Sequence, residues 1–327
     1  MLELKRNKNF IFNISYKVNI KLILKLLILP FWDIFYTLLL NINYLLKKSE
    51  KKKYNVSVCA IFKDEAVYFK EWIEYHKLIG IDHFYLYNNF STDTFNETLK
   101  PYIDSNLVTL IDWPVKLGQG KSYEHCFLNF HNDTNWIAFL DIDEFICPKW
   151  DETINSWLLN YKKYPSIAVY WKMFGTSGKI SRKDNSLVIE NFINCWPYYS
   201  DVTKIFFNTN FRVSNFEDMH TMSAIFNFFS INIVIPPVNE FYKFLKYGIF
   251  FRTGFKSLNS FTLQINHYWS KSMHDYETRK SIRGVPHLNQ PRDLEVFYIH
   301  ETKNTASDYT IWRYLIKLKV ILNNINN

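Results

Sequence analysis

Apolar residues in this chain follow two rhythms. Short unbroken runs alternate with stretches in which large apolar residues recur every three or four positions. Val56-Ser-Val-Cys-Ala-Ile-Phe62 is a run of the first kind, and Lys63-Asp-Glu65 makes a polar turn at its carboxyl end. Runs without polar alternation predict strands covered on both faces, as in a parallel sheet. Phe69, Trp72, Ile73, His76 and Ile79 then keep helical spacing, with Gly80 placed to end that helix. His83–Tyr87 and Val108–Asp112 read as the next two strands, separated by the polar loop 88–93. Lys121–His131 reads as a helix, and Trp136–Leu140 as a central buried strand. Strands alternating with helices predict a doubly wound, mostly parallel α/β sheet, whose ligands sit at the carboxyl ends of the strands.

The central strand delivers Asp141, Asp143 and Glu144 at its end. On an extended backbone, Asp141 and Asp143 point to one side and Ile142 to the core. Paired carboxylates are costly to bury unless a cation lies between them, and oxygen ligands suit Mg²⁺ or Mn²⁺. An acidic turn with no ion is the competing reading, since Asp-x-Asp is a short pattern. Further on, Trp157 falls on a short helix and Ile167–Trp171 on a strand entering Phe174-Gly-Thr-Ser-Gly178. Residues 223–251, rich in aromatics, show no usable period. Residues 304–327 predict a closing helix with Trp312, Leu315, Ile316 and Val320 on one side.

The first 53 residues differ from the rest. Ile20–Leu46 is strongly apolar, but Lys21, Lys25 and Asp33 interrupt it and Pro30 is expected to break it. Its longest charge-free run, Ile34–Leu46, has 13 residues, short of the roughly 20 that span a bilayer. No small-residue cleavage site follows, so a secretory leader is not expected. Lysines 47, 48 and 51–53 come next. Apolar helix and lysine cluster together predict a segment lying on an anionic membrane surface; a helix packed on the body with a solvated linker is the alternative.

Charge sharpens this division. Residues 1–53 hold 11 Lys/Arg against 3 Asp/Glu, a net +8, while the remainder holds 28 of each sign. A body with no net charge argues against nucleic acid as a partner. Cys59, Cys126, Cys147 and Cys195 are scattered without zinc or redox spacing, which predicts buried thiols in a reducing compartment.

Taken in order, several motifs over about 54–285 resemble glycosyltransferase family 92 and the related family-2-like bacterial enzymes. They are Lys63-Asp-Glu65, Glu71-Trp-Ile-Glu-Tyr-His76, Gly80-Ile-Asp-His-Phe-Tyr-Leu-Tyr87 and Asn89-x-Ser-Thr-Asp93. Gln119 with Ser122-Tyr123, Phe139-Leu-Asp-Ile-Asp-Glu-Phe145, Phe174-Gly-Thr-Ser-Gly178, Lys204, and Asn266-His-Tyr268 with Lys271-Ser272 complete the series. Two departures stand out: Asn88-Asn89-Phe90 replaces a common Asp-Asn-Asn or Asp-Asn-Gly, and Ser122 a common Ala.

The resemblance implies a GT-A fold with a nucleotide-binding half (54–147), an acceptor half (148–285) and a carboxy-terminal helical extension (286–327). It implies Mn²⁺ or Mg²⁺ held by Asp141, Asp143 and His267 against a nucleotide-sugar diphosphate. Lys63, Glu65, Asn89, Asp93, Gln119, Lys204 and Lys271 take the donor-binding positions, with His220 a weaker carry-over. Lys271, four residues after His267, would face the same way on a helix. Transfer is expected to invert the anomeric centre, with Glu217, Asp218 or Glu144 as the base. The expected acceptor is a glycan or lipid-linked glycan of surface-polysaccharide or lipopolysaccharide synthesis, and the first donor to try is UDP-galactose. The expected location is the cytoplasmic face of the cell membrane, peripherally bound. A sugar nucleotidyltransferase and a non-catalytic nucleotide- or sugar-binding protein are the rival classes. No Gly-rich basic loop follows the first strand, which counts against the former.

Overall fold

The computed structural model describes residues 19–46, 51–183, 186–216, 220–228, 230–249, 252–253, 257–283 and 292–326. The chain opens with α1 (Ile20–Leu46), then runs β1 (Tyr54–Phe62), α2 (Ala66–Leu78), β2 (His83–Asn88), α3 (Phe95–Asp104), β3 (Val108–Asp112), α4 (Gln119–Phe130) and β4 (Thr134–Phe139). From β1 onward these are the alternating elements expected from the sequence, with ends shifted by up to a few residues, apart from α3, to which no sequence reading corresponds. Gly80 sits just past α2 at φ +99°, the left-handed position that ends a helix.

Beyond β4 follow β5 (Glu144–Pro148), α5 (Ile154–Leu158), β6 (Ser166–Phe174), α6 (Val188–Asn191), β7 (Asn194–Cys195), β8 (Thr203–Asn208) and β9 (Arg212–Val213). Residues 223–251, unreadable in sequence, contain a hairpin of β10 (Ala224–Phe228) and β11 (Ile231–Ile235), then β12 (Val238–Asn239). After β13 (Leu263–Tyr268) comes a helical run of α7 (Met273–Asp275), a π-helical turn (Tyr276–Lys280) and α8 (Ser281–Arg283). α9 (Leu294–Glu301), β14 (Ala306–Ser307) and α10 (Leu315–Asn326) close the chain.

Among the described residues the main sheet runs β14-β7-β6-β8-β4-β1-β2-β3, with β12 and β13 also on β6 and β5 on β13. The β3-β2-β1-β4 half is parallel throughout. Past β4 the sheet turns mixed: β8 lies antiparallel between β4 and β6. β6 changes partner along its length. Its first half pairs with β8 and β12, its second with β13. Val56, Val58, Cys59 and Ala60 are fully buried, as an apolar strand covered on both faces requires. All four cysteines are buried and free.

Three expectations need correction. Pro30 does not break the amino-terminal helix; α1 is continuous for 27 residues, long and apolar enough to cross a membrane by those criteria. Proline at that depth costs about 3 kcal/mol. Contacts to the body offset it: Leu29, Tyr36 and Leu40 are buried, and Asp33 is paired to Arg252. The closing helix is shorter than predicted, because β14 and a 3₁₀ turn at Thr310–Tyr314 precede α10. Its buried line is Ile311, Leu315, Leu318 and Leu322, packed on α2, while Ile316 and Val320 face outward. β14 joins the sheet edge through β7, so this last segment is built into the body.

Candidate active site

At the carboxyl ends of β1, β2, β4, β6 and β13 lies a cleft of about 1850 Å³. Lys63, Asn89, Gln119, Asp141, Asp143 and His267 line it, together with Trp171, Trp269, Lys271, Arg279, Lys280 and Arg292. Its core is the turn after β4. Leu140 still bonds to β1 through Cys59 O, and the chain then reverses: Glu144 N–H donates to Asp141 O at 3.1 Å. Glu144 Oε2 accepts from Asp141 N at 3.0 Å and locks the turn. Ile142 is buried as expected, but the backbone between the two aspartates turns instead of staying extended. The two carboxylates therefore take different partners.

Asp141 accepts from Gln119 Nε2 and from Lys204 Nζ, each at 2.8 Å. Lys204, on β8, also lies 3.2 Å from Glu144 Oε2. It is only 1% exposed and does not line the cleft, so it is a buried internal cation rather than the expected donor-binding lysine. Burial opposes its charge, yet Asp141 and Glu144 hold its pKa well above the usual lysine range.

Asp143 accepts from Lys280 Nζ at 2.5 Å and lies 3.4 Å from His267 Nε2. Burial would raise its pKa, but the Lys280 ammonium overrides that and holds the carboxyl well below the usual range. Burial lowers His267 to about 4, which leaves the ring neutral near pH 7. Its ring lies 4.4 Å from that of Trp171.

Asp143, Glu144 and His267 each present a ligand atom within 4.8 Å of the others. Glu144 Oε1 and His267 Nδ1 are buried without a hydrogen-bond partner. Two hard carboxylates and one imidazole with spare lone pairs form a donor set that fits Mn²⁺ or Mg²⁺. Glu144 is fully buried, and desolvation pushes its pKa well above the carboxylate range. It does not line the cleft and stands behind Asp143, away from the surface an acceptor hydroxyl would meet. Glu217 and Asp218 lie outside the described residues.

The remaining expected residues divide into loop ties and cleft surface. Asp93 accepts from Ala66 N at 2.8 Å and caps α2 without lining the cleft. Asn89 donates to Trp113 O and Val115 O, fixing the loop after β2 against the loop after β3. Lys271 is not on a helix with His267; it stands past the end of β13 at φ +51°. From there its Nζ reaches 3.9 Å from Glu65 Oε2 and 3.9 Å from the Tyr68 ring centre. His220 lines the cleft, with Nδ1 2.7 Å from Thr203 O.

Sequence reasoning missed the helical run after β13. Arg279 donates to Asp64 O at 2.6 Å and lies over Tyr68, while Lys280 approaches both Asp143 and the Trp269 ring. The basic pair Arg279-Lys280 was the only local signal, and nothing nearby showed which loop it would meet. The cleft thus joins a compact acidic cluster to several cationic side chains.

Residues 52–321 match glycosyltransferase family 92. A family 92 protein of Oryza sativa subsp. japonica is 32% identical over 137 residues, 41% of this chain and 24% of that one. The beta-1,4-galactosyltransferase galt-1 of Caenorhabditis elegans is 32% identical over 109 residues, 29% of this chain and 26% of its own. The chain thus spans about a quarter of the length of these curated relatives. Among solved structures, S. aureus TarS 1-349 in complex with UDP aligns with a TM-score of 0.32 at 15% identity, over 47% of each chain.

Proposed function

Because the chain belongs to glycosyltransferase family 92, we infer that it moves a sugar from a nucleotide-sugar donor to a glycan acceptor at a membrane surface, using Mn²⁺ or Mg²⁺. The observation that carries this reading is Asp143 and His267 on a cleft lined with cations, with Glu144 buried directly behind them and all three within ligand reach of one another. A divalent ion held there would neutralise the charge that develops on the departing diphosphate. Lys271 and Arg279 line the same cleft and supply further positive charge to the phosphates. Trp171 and Trp269 offer aromatic faces for a sugar ring.

Transfer is read as a single inverting displacement, with an acceptor-side carboxylate taking the hydroxyl proton. With Glu144 sealed in the core, Glu217 and Asp218 are the candidates. UDP-galactose is the first donor to try, and a lipid-linked surface glycan the first acceptor class. The proposed location is the cytoplasmic face of the cell membrane.

Calorimetry with UDP and Mn²⁺ tests the core of this reading. UDP binding should require Mn²⁺ and vanish in Asp143→Ala. Binding indifferent to both metal and mutation would sink the metal–diphosphate site. Release of pyrophosphate on incubation with a sugar phosphate and a nucleoside triphosphate would point to a nucleotidyltransferase instead.

A further inference from the structure

The helix α1 has two unlike faces. Leu24, Phe31, Leu38 and Leu45, seven residues apart, are 60%, 72%, 58% and 83% exposed. At about 100° per residue they form one stripe, with Leu29, Tyr36 and Leu40 buried on the opposite side. A stripe of that length on a soluble surface calls for a cover.

The buried face is fastened along its middle. Asp33 accepts from Arg252 Nη1 at 2.7 Å and Nη2 at 2.9 Å, and from Phe244 N at 3.2 Å. Lys246 donates to Tyr36 Oη and Lys163 to Asn41 Oδ1. The helix is therefore held to the body from Leu29 to Asn41. Ile20–Ile28 is left over at one end, about 14 Å of helix, and Ile42–Leu46 at the other, about 8 Å, against about 30 Å of hydrocarbon. With the body docked, α1 is too short to cross.

Its position in the fold is equally specific. Lys163 stands just before β6 begins. Phe244, Lys246 and Arg252 follow β12, which pairs with β6 at Ile167 and Ala168, near that strand's start. A smaller pocket joins Asn43 and Tyr44 of α1 to Asn55 and Asn135, at the starts of β1 and β4. The cleft lies at the other ends of the same strands, on Phe62, Asp141 and Met173. The length of β6, nine residues, puts roughly 25 Å between the two. Asp33 is the sole acid in α1 and is already paired to Arg252, while Lys21 and Lys25 lie on the helix and Lys243 and Lys246 flank it from the body, a balance that suits anionic headgroups.

We propose that α1 lies flat in the headgroup region of an anionic bilayer, and that the cleft opens away from that bilayer. The acceptor is then the distal end of an extended lipid-anchored glycan, not the sugar next to the lipid. This rests on the reading of the chain as a membrane-surface glycosyltransferase.

Single cysteines at Leu24, Phe31, Leu38 and Leu45 of the full-length chain, each carrying the fluorophore NBD, test it; the native thiols are all buried. A fifth label replaces Leu117, 67% exposed on the cleft rim. Vesicles of phosphatidylcholine with phosphatidylglycerol, or phosphatidylcholine alone, would carry nitroxides at shallow or deep acyl positions. The expected result is equal, shallow quenching at all four helix labels, strongest with phosphatidylglycerol, and a Leu117 label reached only by aqueous iodide. Quenching graded through the bilayer centre along the four sites, or lipid quenching at Leu117, would overturn the geometry while leaving membrane binding intact. Shielding of the stripe in buffer with a doubled mass would assign the face to a second copy and overturn the proposal. Labels indifferent to every vesicle would remove the membrane reading itself, whereas the Mn²⁺–UDP calorimetry judges the transferase reading separately.

Discussion

Lys280 sets its ammonium 2.5 Å from Asp143 Oδ2, across 137 residues of sequence. A tethered cation thus rests on the carboxylate best placed to hold a divalent one. A divalent ion held by Asp143 would compete with Lys280 for that carboxylate.

That competition is measurable. In Lys280→Ala without nucleotide, Mn²⁺ should bind about fivefold more tightly, the equivalent of about 1 kcal/mol for a lost partly buried ion pair. Calorimetry reads this directly. Unchanged or weaker Mn²⁺ affinity would show that Lys280 does not occupy the metal's place.

Lys204 should matter to stability first. It is buried between Asp141 and Glu144, and its removal leaves both carboxylates without their internal cation. Lys204→Ala is expected to cost about 3–5 kcal/mol in urea unfolding. A loss below about 1 kcal/mol would mean that neighbouring groups already compensate the charge.

His76 carries a pH signature. Its Nδ1 donates to Trp72 O at 2.8 Å and its Nε2 accepts from Ile146 N at 3.2 Å, a pattern open only to the neutral ring. Burial lowers its pKa to about 3 from 6.5. The unfolded chain therefore binds the proton that the folded one refuses, and stability falls as pH drops below 6.5. By pH 5 this amounts to about 2 kcal/mol from His76. Comparing wild type with His76→Leu at pH 7 and 5 isolates the effect: the variant should lose less on acidification. Equal pH slopes would refute it.

Gly175 is a packing test beside the cleft. A Cβ there would stand 1.8 Å from Asn304 Nδ2 and 2.6 Å from Glu301 Oε1. Glu301 accepts from Thr176 N and Oγ1, so Gly175→Ala must push apart the loop after β6 and the end of α9. The expected cost is about 1–3 kcal/mol, read as a lowered Tm. A Tm equal to wild type would show that Asn304 moves aside freely.

What the sequence determined by itself was local. Unbroken apolar runs fix β1 to β4 because strands buried on both faces need no alternation, and Phe69, Trp72, Ile73 and His76 fix α2 because burial follows the helical period. The order of short motifs identified the family, and the Asp-x-Asp stretch placed the site at the end of β4. Tertiary structure decided the rest, because its energies belong to pairs far apart in the chain. Lys204 meets Asp141 from 63 residues away, and Arg252 holds Asp33 from 219 residues away. Neither pair leaves a periodic trace. The turn at Asp141–Glu144 separated two carboxylates that an extended strand would have paired, since Glu144 bonds back to Asp141 N. Docking carried α1 through Pro30, where local propensity alone would have ended it. Residues 223–251 stayed illegible because β10–β12 are short strands in an aromatic-rich stretch, where the few polar residues mark no regular period and pairing alone selects the register.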